Sequence, residues 1–281
     1  MKRQNIQKIG EALSIIAAAV VIIPIFLVIL FIFVNGIQAI NWEFLTQPPR
    51  SGMTEGGIWP AMLGTILLTI GTAIVVMPFG IGAAIYLAEY AGDNWFTRAI
   101  HMAIVNLAGI PSIVYGLFGL GAFVLFFNMG TSIIAGALTL GLMTLPIIIS
   151  TSEEAILSVP QEFRVVSRSL GATRWQTVRH QVLPNATPGI ITGVILGLVR
   201  AAGETAPILF TVAAFYLPEL PKSLFDQTMA LPYHLYVIST QVPGMPLEIQ
   251  YGTALVLLVM VLSFTVVAAL IRSLMRRRRE W

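Results

Sequence analysis

Six long apolar runs dominate this sequence, and they leave it few ways to fold in water. They cover residues 12–34, 61–87, 100–127, 133–149, 190–210 and 254–271. Most reach the ~20 residues that a helix needs to cross the hydrocarbon core of a bilayer. The chain also has too little polar surface for a soluble globule, since 57% of its residues are hydrophobic and 10% are charged. We therefore expect an all-α integral membrane protein with six transmembrane helices.

The first run, residues 12–34, follows Lys2, Arg3 and Lys8, as the apolar part of a secretory signal also would. It is longer than a typical signal core, and no convincing small-residue cleavage site follows it. We expect it to remain as a transmembrane anchor behind a short cytoplasmic tail, residues 1–11.

The basic residues indicate the orientation. If the N terminus is cytoplasmic, only Arg50 and Lys222 fall outside and only Arg200 falls within the membrane, while all other lysines and arginines lie inside. The positive-inside rule therefore predicts that both termini are cytoplasmic. The basic tail at 273–281 is interpreted as a contact with membrane lipids, so no nucleic-acid partner is expected.

Two loops are expected outside the membrane, at residues 35–60 and 212–250. The first is rich in proline and glycine, which is typical of turns and of a linker. The second has a mixed segment at 224–240 that suits either a re-entrant or surface-lying helix that docks an external partner, or an inert cap on the helix bundle.

The third run is polar and breakable at its centre, where it carries Asn106, Gly109, Pro111, Ser112 and Tyr115. An irregular backbone is tolerated at membrane depth where it lines a cavity or is buried in protein. Asn106, Ser112 and Tyr115 are therefore candidates for lining a pathway, and helix packing is the alternative.

A polar stretch at 151–184 is expected in the cytoplasm as two short helices. Ser158 with Gln161, and Thr173 with Gln176, have the spacing of capping boxes, which begin helices.

The first of these helices should end at Gly171, and the second at Pro184. Both mix apolar side chains with arginines, so they can rest on the membrane or on protein and still present a face to a cytoplasmic partner.

Arg200 and Glu204 lie inside the apolar run at 190–210, where charge is costly. On a helix this spacing puts both on one face, and Gly203 and Pro207 permit local unwinding. Arginine presents a planar donor fork that matches an oxyanion. In one hypothesis Glu204 holds Arg200 while a pathway is empty and yields it to a passing anion; in the other the two form a simple intrahelical salt bridge. Thr205 is a further candidate on the same path.

Several chemistries are excluded by missing motifs. No GxxxxGK[ST] loop occurs, so the chain is not expected to hydrolyse ATP, and neither a zinc-protease helix nor a GxSxG elbow is present. The chain has no cysteine, and its three histidines lack metal-ligand spacing. We expect no metal site, no catalytic residue and no cofactor bound by this chain.

Five segments resemble one family. They are GGIWPAMLGTILLT from Gly56, GIGAAIYLAEYA from Gly80, NLAGIPSIVYGLFGLG from Asn106, SLGATRWQTVRHQVLP up to Pro184, and RAAGETAPILFT from Arg200. They are similar to the membrane subunits of binding-protein-dependent ABC importers, specifically the phosphate-specific (Pst-type) A-type permease. The resemblance implies the type I importer permease fold over residues 61–272.

In that family the cytoplasmic segment is the EAA loop, a coupling helix that docks on the ATPase. The usual Glu-Ala-Ala falls on Val165, Val166 and Ser167, so the glutamate is missing and docking should rest on shape, apolar contact and nearby arginines. The coupling residues that the resemblance implies are Phe163, Arg164, Val165, Val166, Ser167, Leu170, Gly171, Ala172, Leu183 and Pro184.

The resemblance further implies a second homologous permease chain, two copies of a cytoplasmic ATPase that uses ATP and Mg, and an external phosphate-binding protein. The chain would form half of a pathway for inorganic phosphate in a bacterial or archaeal inner membrane. Three alternatives stay open: a permease for another oxyanion such as molybdate, sulfate or phosphonate, a membrane enzyme acting on lipid phosphates, and an accessory protein that only scaffolds a complex.

Overall fold

The structure, a computed structural model, describes residues 2–277, and helices dominate that range. Its α-helices are, in chain order, α1 (Lys2–Gly36), α2 (Trp42–Thr46), α3 (Trp59–Ile85), α4 (Trp95–Ala108), α5 (Ser112–Gly119), α6 (Ile133–Leu157), α7 (Gln161–Ser169), α8 (Arg174–Thr177), α9 (Leu183–Gly203), α10 (Ala206–Leu209), α11 (Leu231–Thr240) and α12 (Leu247–Arg277). Three π-helical segments, Tyr86–Tyr90, Leu120–Phe126 and Val178–Val182, extend α3 and α5 and join α8 to α9. A small antiparallel hairpin pairs β1 (Pro49–Arg50) with β2 (Glu55–Gly56).

Five helical stretches of the described chain are long and apolar enough to cross a membrane: Gly10–Ala39, Trp59–Tyr90, Ile133–Leu157, Arg174–Gly203 and Leu247–Val267. The predicted third span is not one straight helix. It is a pair, Trp95–Ala108 and Ser112–Phe126, bent by 102°. The bend falls where Pro111 disfavours helical backbone in the residue before it. The described residues thus supply five spanning helices, or six when the bent pair counts as one span.

α6 lies at the centre of the bundle, packed against α3 and α9. Its contact with α9 depends on a glycine stripe, Gly189, Gly193 and Gly197, spaced four residues apart on one face. A Cβ at these positions would meet Ala155, Thr151 and Ile148 of α6 respectively. Small residues at such spacing let membrane helices approach closely.

The connections between the spanning helices gather at two ends of the bundle. At the first, the loop end (residues 35–60, 127–132 and 211–250), the Ser132 amide donates to Thr211 at 2.9 Å and the Tyr216 hydroxyl donates to Pro49 at 3.2 Å. At the second, the arginine end (residues 86–94 and 157–182), Arg164 contacts Glu89. This separation has the form expected of a chain that crosses a membrane repeatedly.

The loop end is better packed than its composition predicts. The interpretation of 35–60 as a linker is wrong, because Phe44, Met53 and Ile58 are buried in the main hydrophobic core. The long second loop likewise contains α11, whose apolar residues join the same core. Its burial favours a cap on the bundle over a free surface helix.

Two local predictions at the arginine end are wrong. Ser158 does not cap α7; its hydroxyl donates back to Ala155 at 2.8 Å, and Pro160 precedes the helix. Pro184 does not end a helix, because the π-helical segment Val178–Val182 carries α8 directly into α9, where proline occupies the first turn and no amide is required of it.

Two other local predictions at the arginine end are confirmed. Thr173 and Gln176 form a reciprocal capping box, and Gly171 ends the α7 turn with φ of +84°.

α1 begins at Lys2, within the region predicted as a tail, and crosses α12 at its far end, where Gly36 lies against the backbone of Tyr251. The apolar stretch of α1 is exposed on the single chain, so it faces lipid or another protein. Of the predicted basic tail, residues 278–281 lie outside the described residues, as does Met1.

The glycine stripe gives a direct test of the α6–α9 contact. Gly193→Ala should destabilise the protein by about 1–3 kcal/mol, since the added methyl overpacks the contact with Thr151. Gly82→Ala, on α3 with no atom near its Cβ, should be neutral or stabilising by about 0.5–1 kcal/mol. Thermal unfolding in detergent measures both, and equal midpoints for the two variants would contradict the close packing.

The packing of α11, which caps the helix bundle, should lose stability in acid. Burial lowers the pKa of His234 in α11 from 6.5 to about 4. Between these values the unfolded chain binds a proton that the folded chain does not, so stability falls as the pH decreases from 6.5 towards 4, by about 3 kcal/mol in total. Unfolding midpoints from pH 7 to 4.5 should show this loss in the wild type and in His180→Gln, an exposed control, and a smaller loss in His234→Gln. An unchanged slope in His234→Gln would contradict it.

Candidate functional site

The Arg200–Glu204 pair lies where a spanning helix stops. α9 ends at Gly203, and Glu204 adopts extended backbone with φ of −79° and ψ of 139°. The Arg200 Nε still donates to Glu204 Oε1, at 3.3 Å. The unwinding expected from the neighbouring glycine and proline is therefore confirmed, whereas the expectation that both charges lie on one continuous helix is wrong.

The helix break is covered by the other interrupted span. At Gly116 of α5, a Cβ would lie 2.9 Å from the Ala206 carbonyl oxygen and 3.1 Å from Pro207 Cα. α5 therefore crosses α10 at backbone contact, directly after Glu204 and Thr205. Thr205, half-buried, is the residue that links the two helical pieces.

Tyr115 belongs to the same site. It is buried, its hydroxyl donates to the Leu107 carbonyl at 2.7 Å across the α4–α5 bend, and the Arg200 charge interacts electrostatically with it. Ser112 is half-buried at the start of α5, and Asn106 is exposed near the end of α4. The structure thus brings Tyr115, Arg200 and Glu204 together and leaves Asn106 on the other arm of the bend.

A small cavity of about 10 Å³ lies beside Glu204, enough for about one water molecule. Thr65 of α3 is in its wall, and its hydroxyl accepts the Leu231 amide of α11 at 2.8 Å. Thr65 lies six residues into α3, or about 9 Å from the start of that helix. The charged pair therefore lies near the loop end of α3. Sequence reasoning missed Thr65, since a threonine in an apolar helix carries no distinctive signal.

Arg200 is exposed on the single chain. Its side chain is 39% accessible, against 19% for Glu204. A guanidinium on the outer surface of an apolar bundle is costly in lipid, so this face belongs against another protein or a watery passage. The partly free donor fork of Arg200 can bind an anion there.

The arginine end carries the second candidate surface. Val165, Val166, Leu170 and Trp175 are exposed there, Leu170 to 83%. A groove of about 360 Å³ lies beside Val166 and Leu170 and is lined by Glu162, Phe163, Val166, Ser167, Leu170, Ala172 and Gln181. We call α7, the Gly171 turn and α8 the coupling segment. Leu183 and Pro184 lie half-buried behind it at the start of α9.

Arg164, predicted among the docking arginines, faces inward. Its side chain is buried, and its guanidinium pairs with Glu89 at 2.6 Å. The arginines at 168, 174 and 179 are exposed. Sequence reasoning missed Glu89, whose only signal is an acid within the last turn of an apolar run.

The spanning helices, the broken helix with its exposed guanidinium and the exposed apolar segment at the opposite end together define a multi-pass membrane transport component. The chain matches the family described as binding-protein-dependent transport system inner membrane component over residues 77–280. It belongs to that family. Membership implies a partner ATPase and an external substrate-binding protein.

Relatives match over most of the chain. The "Probable ABC transporter permease protein YqgI" of Bacillus subtilis (strain 168) is 33% identical and covers 95% of each chain. The "Phosphate transport system permease protein PstA 2" of Mycobacterium bovis is 32% identical over 99% of this chain and 91% of its own. The "Probable phosphate transport system permease protein PstA" of Methanocaldococcus jannaschii is 32% identical over 87% and 86%.

Solved structures show the same fold. A bacterial ABC transporter that imports alginate aligns with a TM-score of 0.67 at 13% identity, covering 99% of this chain and 98% of its own. The MetNI methionine ABC transporter, in an inward-facing form, aligns with a TM-score of 0.61 at 17% identity over 78% and 94%. The expected type I importer permease fold is confirmed.

Proposed function

We propose that this chain is the permease subunit of an ATP-driven importer and forms half of the translocation pathway for inorganic phosphate. The observation that carries the proposal is the exposed Arg200 guanidinium at the break of α9, close to the loop end. Relatives named as phosphate transport permeases support the choice of substrate.

Arg200 suits a substrate that must be received and then released. Its planar fork matches two oxygens of a phosphate, and this attraction is strengthened where water is excluded. Glu204 competes for the same fork from 3.3 Å, so the empty site is neutral and the bound anion is not held permanently. Thr205 borders the same break and offers its hydroxyl to the passing anion, whereas Tyr115 donates its hydroxyl to the Leu107 carbonyl and positions the α4–α5 bend beside the pathway.

The exposed face of Arg200 requires a second chain to complete the pathway. We assign that place to a homologous permease subunit, with two copies of an ATPase at the arginine end and a phosphate-binding protein at the loop end. ATP and Mg belong to the ATPase, so the permease itself is non-catalytic and binds no cofactor.

The arginine end faces the cytoplasm in this proposal. Connections at opposite ends of the bundle support counting the bent pair α4–α5 as a sixth crossing, which leaves both termini cytoplasmic in a bacterial or archaeal inner membrane. Exposed arginines at that end then satisfy the positive-inside rule and contact anionic lipid.

Uptake of labelled phosphate tests the function. In cells lacking the gene, the wild type should restore uptake at low micromolar phosphate, and sulfate or molybdate should not compete. Arg200→Gln should lower uptake at least about 10-fold, because a charge-assisted hydrogen bond worth about 1.5–3 kcal/mol is lost. Arg200→Lys keeps the charge but lacks the planar donor fork, so its uptake should lie between that of the wild type and that of Arg200→Gln.

Copurification with the ATPase controls for assembly of each variant. An assembled Arg200→Gln permease with normal uptake would reduce the pair to a structural salt bridge. Competition by sulfate or molybdate would indicate that the substrate is another oxyanion. An assembled wild-type complex without any phosphate uptake would overturn the proposed import of phosphate.

The coupling segment supplies the docking surface for the ATPase. Its outward residues, Val165, Val166 and Leu170, are apolar, so the contact rests on burial of apolar surface where the family's glutamate is absent. Gly171 fixes the angle between α7 and α8 through its φ of +84°.

Two substitutions at Gly171 separate its backbone role from its lack of a side chain. Gly171→Val should strain the turn by about 1–2 kcal/mol and lower the phosphate moved per ATP several-fold, while ATP hydrolysis continues. Gly171→Asn tolerates this backbone and should stay close to the wild type. The ratio of phosphate uptake to ATP hydrolysis in proteoliposomes measures both, and an unchanged ratio in Gly171→Val would remove the turn from the mechanism.

A further inference from the structure

Arg164 lies at a junction of three helical elements at the arginine end. Its Nε and Nη2 donate to Glu89 Oε1 at 2.9 and 2.6 Å. Nη2 also donates to the Ile156 carbonyl at 2.9 Å, and Nη1 to the Val159 carbonyl at 2.7 Å. One side chain of α7 thereby binds the last turn of the α3 span and the final carbonyls of α6.

The buried guanidinium of Arg164 has a complete set of hydrogen-bond acceptors. A second Nη1 contact, to the Pro160 carbonyl at 3.5 Å, gives every donor position of the guanidinium an acceptor. Removing two charges from water is costly unless the geometry is good and the remaining donors are satisfied, and both conditions hold here. A planar fork with this set of partners fixes the orientation of α7 relative to α3.

A second contact joins the other arm of the coupling segment to the same turn. The Arg174 guanidinium of α8 lies 5.3 Å from the ring centroid of Tyr90, the residue after Glu89. The two arms are also bound to each other, since the hydroxyls of Ser167 and Thr177 are 2.9 Å apart. The segment therefore holds the end of α3 at two successive residues.

The residues that hold the coupling segment to α3 differ from those that face a docking partner. Arg164 faces inward, whereas the next two residues, Val165 and Val166, are exposed. A force applied to the outer face of α7 thus reaches Glu89 through the backbone of the same helix.

We propose that Arg164 and Glu89 form a rigid joint that transmits displacement of the coupling segment to α3. These are positioning residues, and the proposal rests on the function proposed above. α3 leads from Glu89 to Thr65, which lines the cavity beside Glu204. The 24 residues between them span roughly 35 Å of helix, so one element connects the docking surface with the charged pair.

Coupling in proteoliposomes is the first test. Glu89→Gln keeps the shape of the acid but removes its charge, and it should lower the phosphate moved per ATP about 10-fold while basal ATP hydrolysis continues. The matched control is Asp93→Asn, which breaks an exposed ion pair with Arg98 at the same end and should leave the ratio unchanged. An assembled Glu89→Gln complex with the wild-type ratio would overturn the joint.

Distance measurement provides a second test that does not depend on transport. The chain contains no cysteine, so Ser169→Cys on α7 and Tyr86→Cys at the end of the α3 span accept spin labels. Both residues are exposed, and neither is among the docking residues named above. In the assembled complex their distance should be the same without nucleotide and with ATP. Adding Glu89→Gln should broaden the distribution of distances between the two labels.

The outcomes separate the two proposals. A label distance that changes with ATP in the otherwise wild-type chain would overturn the rigid joint even if phosphate is imported. A constant distance in a complex that hydrolyses ATP but moves no phosphate would support the joint and overturn the proposed substrate.

Discussion

The requirement that backbone polar groups be satisfied away from water governs this fold, because two of its apolar helices are interrupted. The α4–α5 bend and the end of α9 lie side by side, with Gly116 of α5 against Ala206 and Pro207. Irregular backbone at such depth persists only where protein or a watery cavity covers it. Each interruption covers the other, and the charged pair Arg200–Glu204 lies at the place where they meet.

Local signals in the sequence predicted most of the helices and both candidate sites, the Arg200–Glu204 pair and the coupling segment. Hydropathy and length reveal spanning helices, and the Thr173–Gln176 box and Gly171 turn are set by neighbouring residues. Arg200 was found because charge is rare in an apolar run. Glu89 was missed because its partner, Arg164, is 75 residues away, and no local pattern contains that contact. Pro184 misled for a related reason: proline in a helix interior usually breaks or kinks the helix, but here a π-helical segment precedes it and the chain stays helical.

The two ends of the bundle use charge in opposite ways. Near the loop end the Arg200 guanidinium is partly exposed, and its acidic partner Glu204 lies at 3.3 Å, an arrangement suited to exchange of one anion for another. At the arginine end the Arg164–Glu89 ion pair is enclosed and satisfied, while the outer face, which includes Leu170, is apolar. The proposed joint is therefore buried, and the proposed anion site is left open to its ligand.

Close packing explains how α3 can act over its full length. It lies against α6, which is in turn held to α9 by the glycine stripe, so the three helices are in close contact with one another. Pro78 lies within α3, but the neighbouring Gly80 packs against Ile148 of α6 and limits bending there. A shift imposed at Glu89 must therefore be accommodated where α3 meets looser structure, and the cavity between Thr65 and Glu204 is such a place.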